Sequence, residues 1–247
     1  MNATFARKVA YNAAIIAVGA GAFIAYDRMR DTVPKQVQRL VHDAVELELQ
    51  GPVSGDNGSL ARRKWREATI TAKANEMDPK VQFNINFFLA CNLEEGGKDE
   101  EAEREFKLAL SSFPPTFNFD ELDNSTKNRV AVCLDRLAQR EQDRANFANA
   151  LHLYVEALSM LATPEEVMNA DEKFLERKAH VWSVAGLLNN MSTLMYELDL
   201  KEEAKKSEEL SQRLKAFVNN DIPLPRSIPI PAKEDVATPN SHLESKQ

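Results

Sequence analysis

Adjacent asparagines at 189 and 190, followed by Thr193 and Tyr196 at helical spacing, are the residues whose types and intervals could do chemistry in this chain. The chemistry is non-covalent. A side-chain amide donates and accepts at once, so two of them on a helix can hold the N–H and C=O groups of an extended peptide without selecting its side chains. Covalent chemistry has less to stand on. His42, His152, His180 and His242 fall in different segments with no second histidine at ligand spacing, and neither a glycine-rich phosphate loop nor a serine elbow occurs. Carboxylates are plentiful, yet runs such as Glu100 to Glu105 read as solvated helix faces. Cys91 and Cys133 sit in apolar helical stretches and read as buried thiols on neighbouring helices in preference to a disulfide; no CxxC pattern suggests a metal. The expectation is a non-enzyme with no catalytic residue, metal, cofactor or small-molecule substrate.

The elements that must position these residues are helical. Of 247 residues 43% are hydrophobic, 28% are charged and only 8 are glycine, and β-branched runs are scarce, so an all-α fold is expected. A formal charge of -7 argues against nucleic acid as a partner, because phosphate binding needs a basic face. Residues 83–114 carry the most specific pattern. Leu89, Ala90 and Leu93 precede a turn at Gly96-Gly97, and Ala102, Phe106, Ala109 and Pro114 follow it. Small residues at Ala90, Ala102 and Ala109 let two helices approach closely, larger ones fill the flanks, and Pro114 stops the second helix.

Related offsets recur along the chain. Leu134, Leu137, Ala138, Ala150, Tyr154 and Ala157 form a second copy, separated from the first by a long connection from Phe113 to Ser125. Ala61, Trp65 and Ala68 mark a degenerate earlier hairpin, with a helix over Val33 to Leu49, a loop over Gly51 to Gly58, and a second helix from about Ser59 to Glu76. Thr163-Pro164-Glu165-Glu166 reads as a helix start. A last hairpin spans Ala185 to Leu210 around a turn at Asp199, with Leu188, Met191, Met195, Ala204 and Leu210 as its core. These offsets resemble the tetratricopeptide repeat. The resemblance implies stacked helical hairpins whose first helices line a concave, polypeptide-binding groove. It places Asn84, Phe87, Phe88 and Cys91, then Val132, Asp135, Arg136 and Gln139, then Asn189, Asn190, Thr193 and Tyr196 along that groove. Phe87 and Val132 stand where chaperone-tail-binding members carry basic residues, so a chaperone tail is not the expected ligand.

Extensions flank the repeats. Residues 9–26 are uncharged, follow Arg7 and Lys8, and at helical rise span about 27 Å. Residues 1–31 therefore read as a targeting segment and single transmembrane helix, residues 32–218 as the repeat domain, and residues 219–247 as a disordered, Pro-rich tail. Within the span, Ala13, Ala17, Gly21 and Ala25 form a stripe suited to packing against another membrane helix, although an Ala-rich segment produces such spacing by composition alone. A cleaved secretory signal is a competing reading of the same residues. The order of features, including AEREFKLALSSF, ANALHLYVEALSML and LLNNMSTLMYELDLKEEA, resembles the fungal tetratricopeptide proteins of the mitochondrial inner membrane that serve as substrate adaptors of the i-AAA protease. It is also similar to the mitochondrial tetratricopeptide protein that assists respiratory complex III. Membership implies a single-pass inner-membrane protein, its repeats in the intermembrane space, binding client polypeptides for the protease. The alternative is a structural or assembly subunit of a membrane complex such as a respiratory complex.

Overall fold

Small residues decide where the helices of this chain cross. The computed structural model describes residues 33–219 apart from 52, 54, 170 and 171. Its helices are α1 (Lys35–Leu49), α2 (Asp56–Ala74), α3 (Pro79–Glu95), α4 (Asp99–Ser111), α5 (Asn124–Asp143), α6 (Phe147–Leu161), the short α7 (Pro164–Met168) and α8 (Glu172–Glu176), α9 (Lys178–Glu197) and α10 (Lys201–Val218), with one 3₁₀ turn at Phe119–Glu121. The described residues are all-helical, with no strand. Successive long helices pack as hairpins, α1 with α2, α3 with α4, α5 with α6 and α9 with α10, and each hairpin leans on the next. At the crossings Ala61, Ala68, Ala102, Ala109, Ala150, Ala157 and Ala204 are wholly buried, as is Ser211. Trp65, Phe106 and Tyr154 fill the space between the small residues of α2, α4 and α6. In α10 the corresponding residue is Glu208, partly exposed.

One turn geometry builds three of the hairpins. Gly97, Ala145 and Asp199 take the left-handed conformation, with φ of 72, 58 and 60°. The next N–H in each case, on Lys98, Asn146 and Leu200, donates back to the carbonyls of Leu93, Glu141 and Met195 at 2.9, 2.8 and 2.9 Å, the Schellman closure of a helix end. The carbonyls of those same three residues then accept from Ala102, Ala150 and Ala204 at 2.9, 3.0 and 2.9 Å. A local turn thus delivers a small residue to the crossing one helical turn later. In the last hairpin serines finish the seam: the Ser207 and Ser211 hydroxyls donate to the carbonyls of Leu188 and Ala185 at 2.8 and 2.6 Å.

Helix starts follow their local chemistry. Asp78 accepts from the N–H of Lys80 at 2.8 Å with Pro79 opening α3, and Asp123 accepts from Ser125 and Thr126, both at 3.0 Å, to open α5. Thr163 and Glu166 form a reciprocal capping box at α7. Two boundaries differ from the sequence reading. Helix α2 begins at Asp56 and takes Gly58 into its first turn, where a β-carbon would stand 1.8 Å from the Val53 carbonyl oxygen. Glycine lets the loop close onto the helix there, and Arg62 donates to the same carbonyl at 3.1 Å. Helix α9 begins at Lys178, well before Ala185, because His180, Val181 and Val184 are buried against the core.

Among the described residues no helix is long and apolar enough to cross a membrane. The anchor expected in residues 1–31, with Ala13, Ala17, Gly21 and Ala25, lies outside the described residues, as does the tail beyond Asn219.

Two stability experiments follow from the crossings and turns. Ala102→Leu and Ala150→Leu each overpack a seam and are expected to cost about 1 to 3 kcal/mol, whereas the exposed Glu100→Leu changes stability by less than about 0.5 kcal/mol. Thermal melts compare the three; equal losses would show that these alanines do not set the spacing. Ala145→Gly relieves a left-handed β-carbon and should add about 0.5 to 1 kcal/mol, read as a higher urea midpoint.

Candidate functional site

Helices α3, α5 and α9, the first members of their hairpins, lie side by side. Between α3 and α5 stands Arg129, only 2% exposed. Its guanidinium donates to the Asn84 side-chain oxygen at 2.6 Å and to the Ser125 hydroxyl at 2.9 Å, and lies 5.6 Å from the centre of the Phe88 ring. Phe88 in turn stacks on Trp65 at 5.5 Å. Cation–π contact and two charge-assisted hydrogen bonds therefore close this part of the face.

The middle is a polar seam centred on Asp135. One carboxylate oxygen accepts from Asn190 at 2.8 Å; the other accepts from Gln139 at 2.8 Å and lies 3.3 Å from Arg136. Arg136 also pairs with Glu94 at 3.3 Å, and Arg140 joins Glu94 and Asp99 at 3.3 and 2.8 Å. Burial pushes the Asp135 carboxyl above its usual range, and the charge of Arg136 with the amides of Asn190 and Gln139 pulls it part of the way back.

Helix α9 supplies the open edge. One face carries the exposed Trp182 and Tyr196 with the half-buried Gly186, Asn189 and Thr193 between them, spaced three and four apart so that they form a single stripe. Trp182 is 37% and Tyr196 45% exposed. The Thr193 hydroxyl donates to the Asn189 backbone carbonyl at 3.2 Å and the Tyr196 hydroxyl donates to Glu208 at 3.3 Å. The Asn189 side-chain amide makes no hydrogen bond among the described residues. At Gly186 an added β-carbon would meet no atom within 4 Å, so a trough separates Trp182 from Asn189.

The expected groove residues therefore divide. Asn84, 7% exposed, and Arg136 face other side chains of the chain and serve as ties between hairpins, because the neighbouring hairpin reaches over them. Phe88 is half-buried beneath Arg129, and Asn190 is tethered to Asp135. Asn189, Thr193 and Tyr196 remain on the open stripe. Trp182 extends that stripe and was not anticipated, although its spacing to Gly186 and Asn189 is the signal that places it there. Arg129 likewise was missed, since nothing local links it to Asn84.

The other reactive groups are buried. Cys91 and Cys133 are buried free thiols, and burial pushes both well above the ordinary thiol range, which makes them poor nucleophiles. His180 is buried, and desolvation with the charge of Arg177 drives it down to about 4. Among the described residues no group of His, Cys, Asp and Glu is placed to hold a metal ion. The arrangement can therefore offer hydrogen bonds and aromatic surface to an elongated ligand.

No protein-family model matches the chain, and no curated protein is similar to it at a significant level. Among solved structures it is similar to BtubC (BKLC) from P. vanneervenii, with 19% identity, a TM-score of 0.42, and coverage of 86% of this chain and 94% of that one.

The division into ties and open groups is measurable. Arg129→Ala strands the Asn84 oxygen and uncovers Phe88, with an expected loss of about 2 kcal/mol, while Asn189→Ala should change stability by less than about 0.5 kcal/mol. Urea unfolding of the two variants checks the difference, and a comparable loss for Asn189→Ala would mean that its amide is already engaged.

Proposed function

We propose that this chain is a membrane-anchored scaffold of the tetratricopeptide type that holds extended polypeptide along the exposed face of α9. The observation that carries the reading is the stripe from Trp182 to Tyr196, with the Asn189 amide, unpartnered among the described residues, between two accessible rings. An amide supplies backbone recognition without strict sequence choice, and the rings supply apolar contact area. The seam beneath keeps the stripe rigid. Asp135 holds Asn190 and Gln139, and Arg129 holds Asn84, so little side-chain ordering is left for the moment of binding. Recurrence of the left-handed turn, the following alanine and the flanking aromatic along α4 and α6 supports assignment to tetratricopeptide-like repeats.

The remaining parts of the reading rest on the sequence resemblance. Residues 1–31 anchor the scaffold in the mitochondrial inner membrane with the repeats in the intermembrane space, and the polypeptides held are clients presented to the i-AAA protease. Under this assignment nucleic acid, cofactor and small-molecule substrate play no part, and residues 219–247 form an extension outside the repeats.

Site-specific photocrosslinking from position 193 of the membrane-bound protein tests the assignment. Many different client peptides are expected, and Asn189→Ala should weaken their capture about five- to tenfold without changing the melting temperature, the effect of losing one hydrogen bond of about 1 kcal/mol. Capture of one fixed partner at unit stoichiometry would overturn the adaptor reading and make the chain a permanent subunit of a membrane complex.

A further inference from the structure

The α9 stripe has a natural occupant within the chain. Hydrogen bonds from Ser207 to Leu188 and from Ser211 to Ala185 set α10 antiparallel to α9, and the same register carries the end of α10 to the level of Lys178 to Trp182. Phe217 and Val218 pack against the core, so the chain leaves α10 at a fixed place, beside the Trp182 end of the stripe. The sequence immediately beyond is Ile222-Pro223-Leu224-Pro225-Arg226-Ser227-Ile228-Pro229-Ile230-Pro231.

Chemistry and length both match. Alternating proline favours polyproline II, which has no internal hydrogen bonds, and grooves that receive it offer aromatic faces to the proline rings and donors to the free carbonyls. Trp182 and Tyr196 present such faces, Asn189 is a donor without a partner among the described residues, and the open space at Gly186 leaves room for an aliphatic side chain. From Trp182 to Tyr196 the helix rises about 21 Å. Ten residues of polyproline II, the length of the segment, would extend about 31 Å, enough to cover the stripe with about 10 Å to spare. Glu197 is exposed and follows Tyr196 at the end of the stripe, and the segment carries a single charge of opposite sign, Arg226.

We propose that residues 222–231 are an intramolecular ligand for the stripe of Trp182, Gly186, Asn189 and Tyr196, in competition with other polypeptides for that face. The contact itself needs nothing from the scaffold reading; the competition with clients rests on it.

Tryptophan quenching in the full-length, detergent-solubilised protein tests the contact. Trp65 is 1% exposed and Trp182 37%, so acrylamide in solution reports on Trp182. Replacing Ile222, Leu224, Ile228 and Ile230 together with Asp should raise the quenching constant about twofold as the tail leaves the ring. Gly186→Gln, whose β-carbon enters open space and whose side chain occupies the stripe, should raise it similarly, and in a Trp182→Phe background both increases should vanish. Unchanged quenching in the four-Asp variant overturns the docking. Client capture from position 193, measured on the same variant, separates the two ideas. Higher capture together with higher quenching supports tail competition, whereas higher quenching with no client capture in any variant overturns the scaffold reading and leaves the docked tail standing.

Discussion

Close approach of paired helices at alanine is the constraint on which the rest of this structure depends. Helices in contact settle 8 to 10 Å apart according to the side chains between them, and only small residues allow the lower end of that range. Ala61, Ala102, Ala150 and Ala204 occupy the same place in successive second helices, each wholly buried. Three of the four follow a left-handed turn by one helical turn, so the backbone that reverses the chain also sets which residue meets the partner helix. Where α10 lacks an aromatic at its centre, the Ser207 and Ser211 hydroxyls bond directly to α9 carbonyls, a contact that itself requires the backbones to be near.

Apolar packing brings one hairpin to the next, but buried polar ties fix their relative rotation. Glu48 of α1 accepts from Trp65 of α2 at 2.9 Å and from Asn92 of α3 at 2.6 Å, and Asn92 accepts from Arg62 of α2 at 3.2 Å. Burial raises the Glu48 carboxyl above its ordinary range, and the hydrogen bonds from Trp65 and Asn92 pull it part of the way back. Between α4 and α5 the hydrogen bond from Arg144, aided by Lys107, holds the Glu103 carboxyl down at about 2. Arg129 with Asn84, and Asp135 with Asn190, repeat the principle further along. A geometry with fixed donors and acceptors has fewer acceptable rotations than one made of side chains that merely fill space.

That division of labour explains where open chemistry remains. Polar groups of α3 and α5 are largely consumed in holding the stack, and hairpins further along cover them. Helix α9 belongs to the last described hairpin, so among the described residues one face of it is left without a neighbour. Glu208, standing where earlier hairpins bury Trp65, Phe106 and Tyr154, fits this position at the end of the described stack. The same location puts the accessible Trp182 next to the point where the chain continues toward its prolines.

Much of the architecture was legible in the residues themselves, because its causes are local. A 3.6-residue apolar period, a Thr-Pro-Glu-Glu start and a turn at Asp199 act within a few residues, and the α3/α4 and α5/α6 hairpins appear where those signals stand. The wholly buried alanines could be named in advance for the same reason. The first turn of α2 could not, since Gly58 enters the helix through its contact with the Val53 carbonyl. The fate of the groove residues was also beyond local reading. Asn84 and Asn189 are the same amide on corresponding helices, yet one is bound by Arg129 from the next hairpin and the other meets no partner among the described residues. Sequence alone determined which residues lie on the first-helix faces of the hairpins; tertiary structure alone decided which of them are spent, because that depends on the rotation between hairpins, set by contacts between residues far apart in the chain.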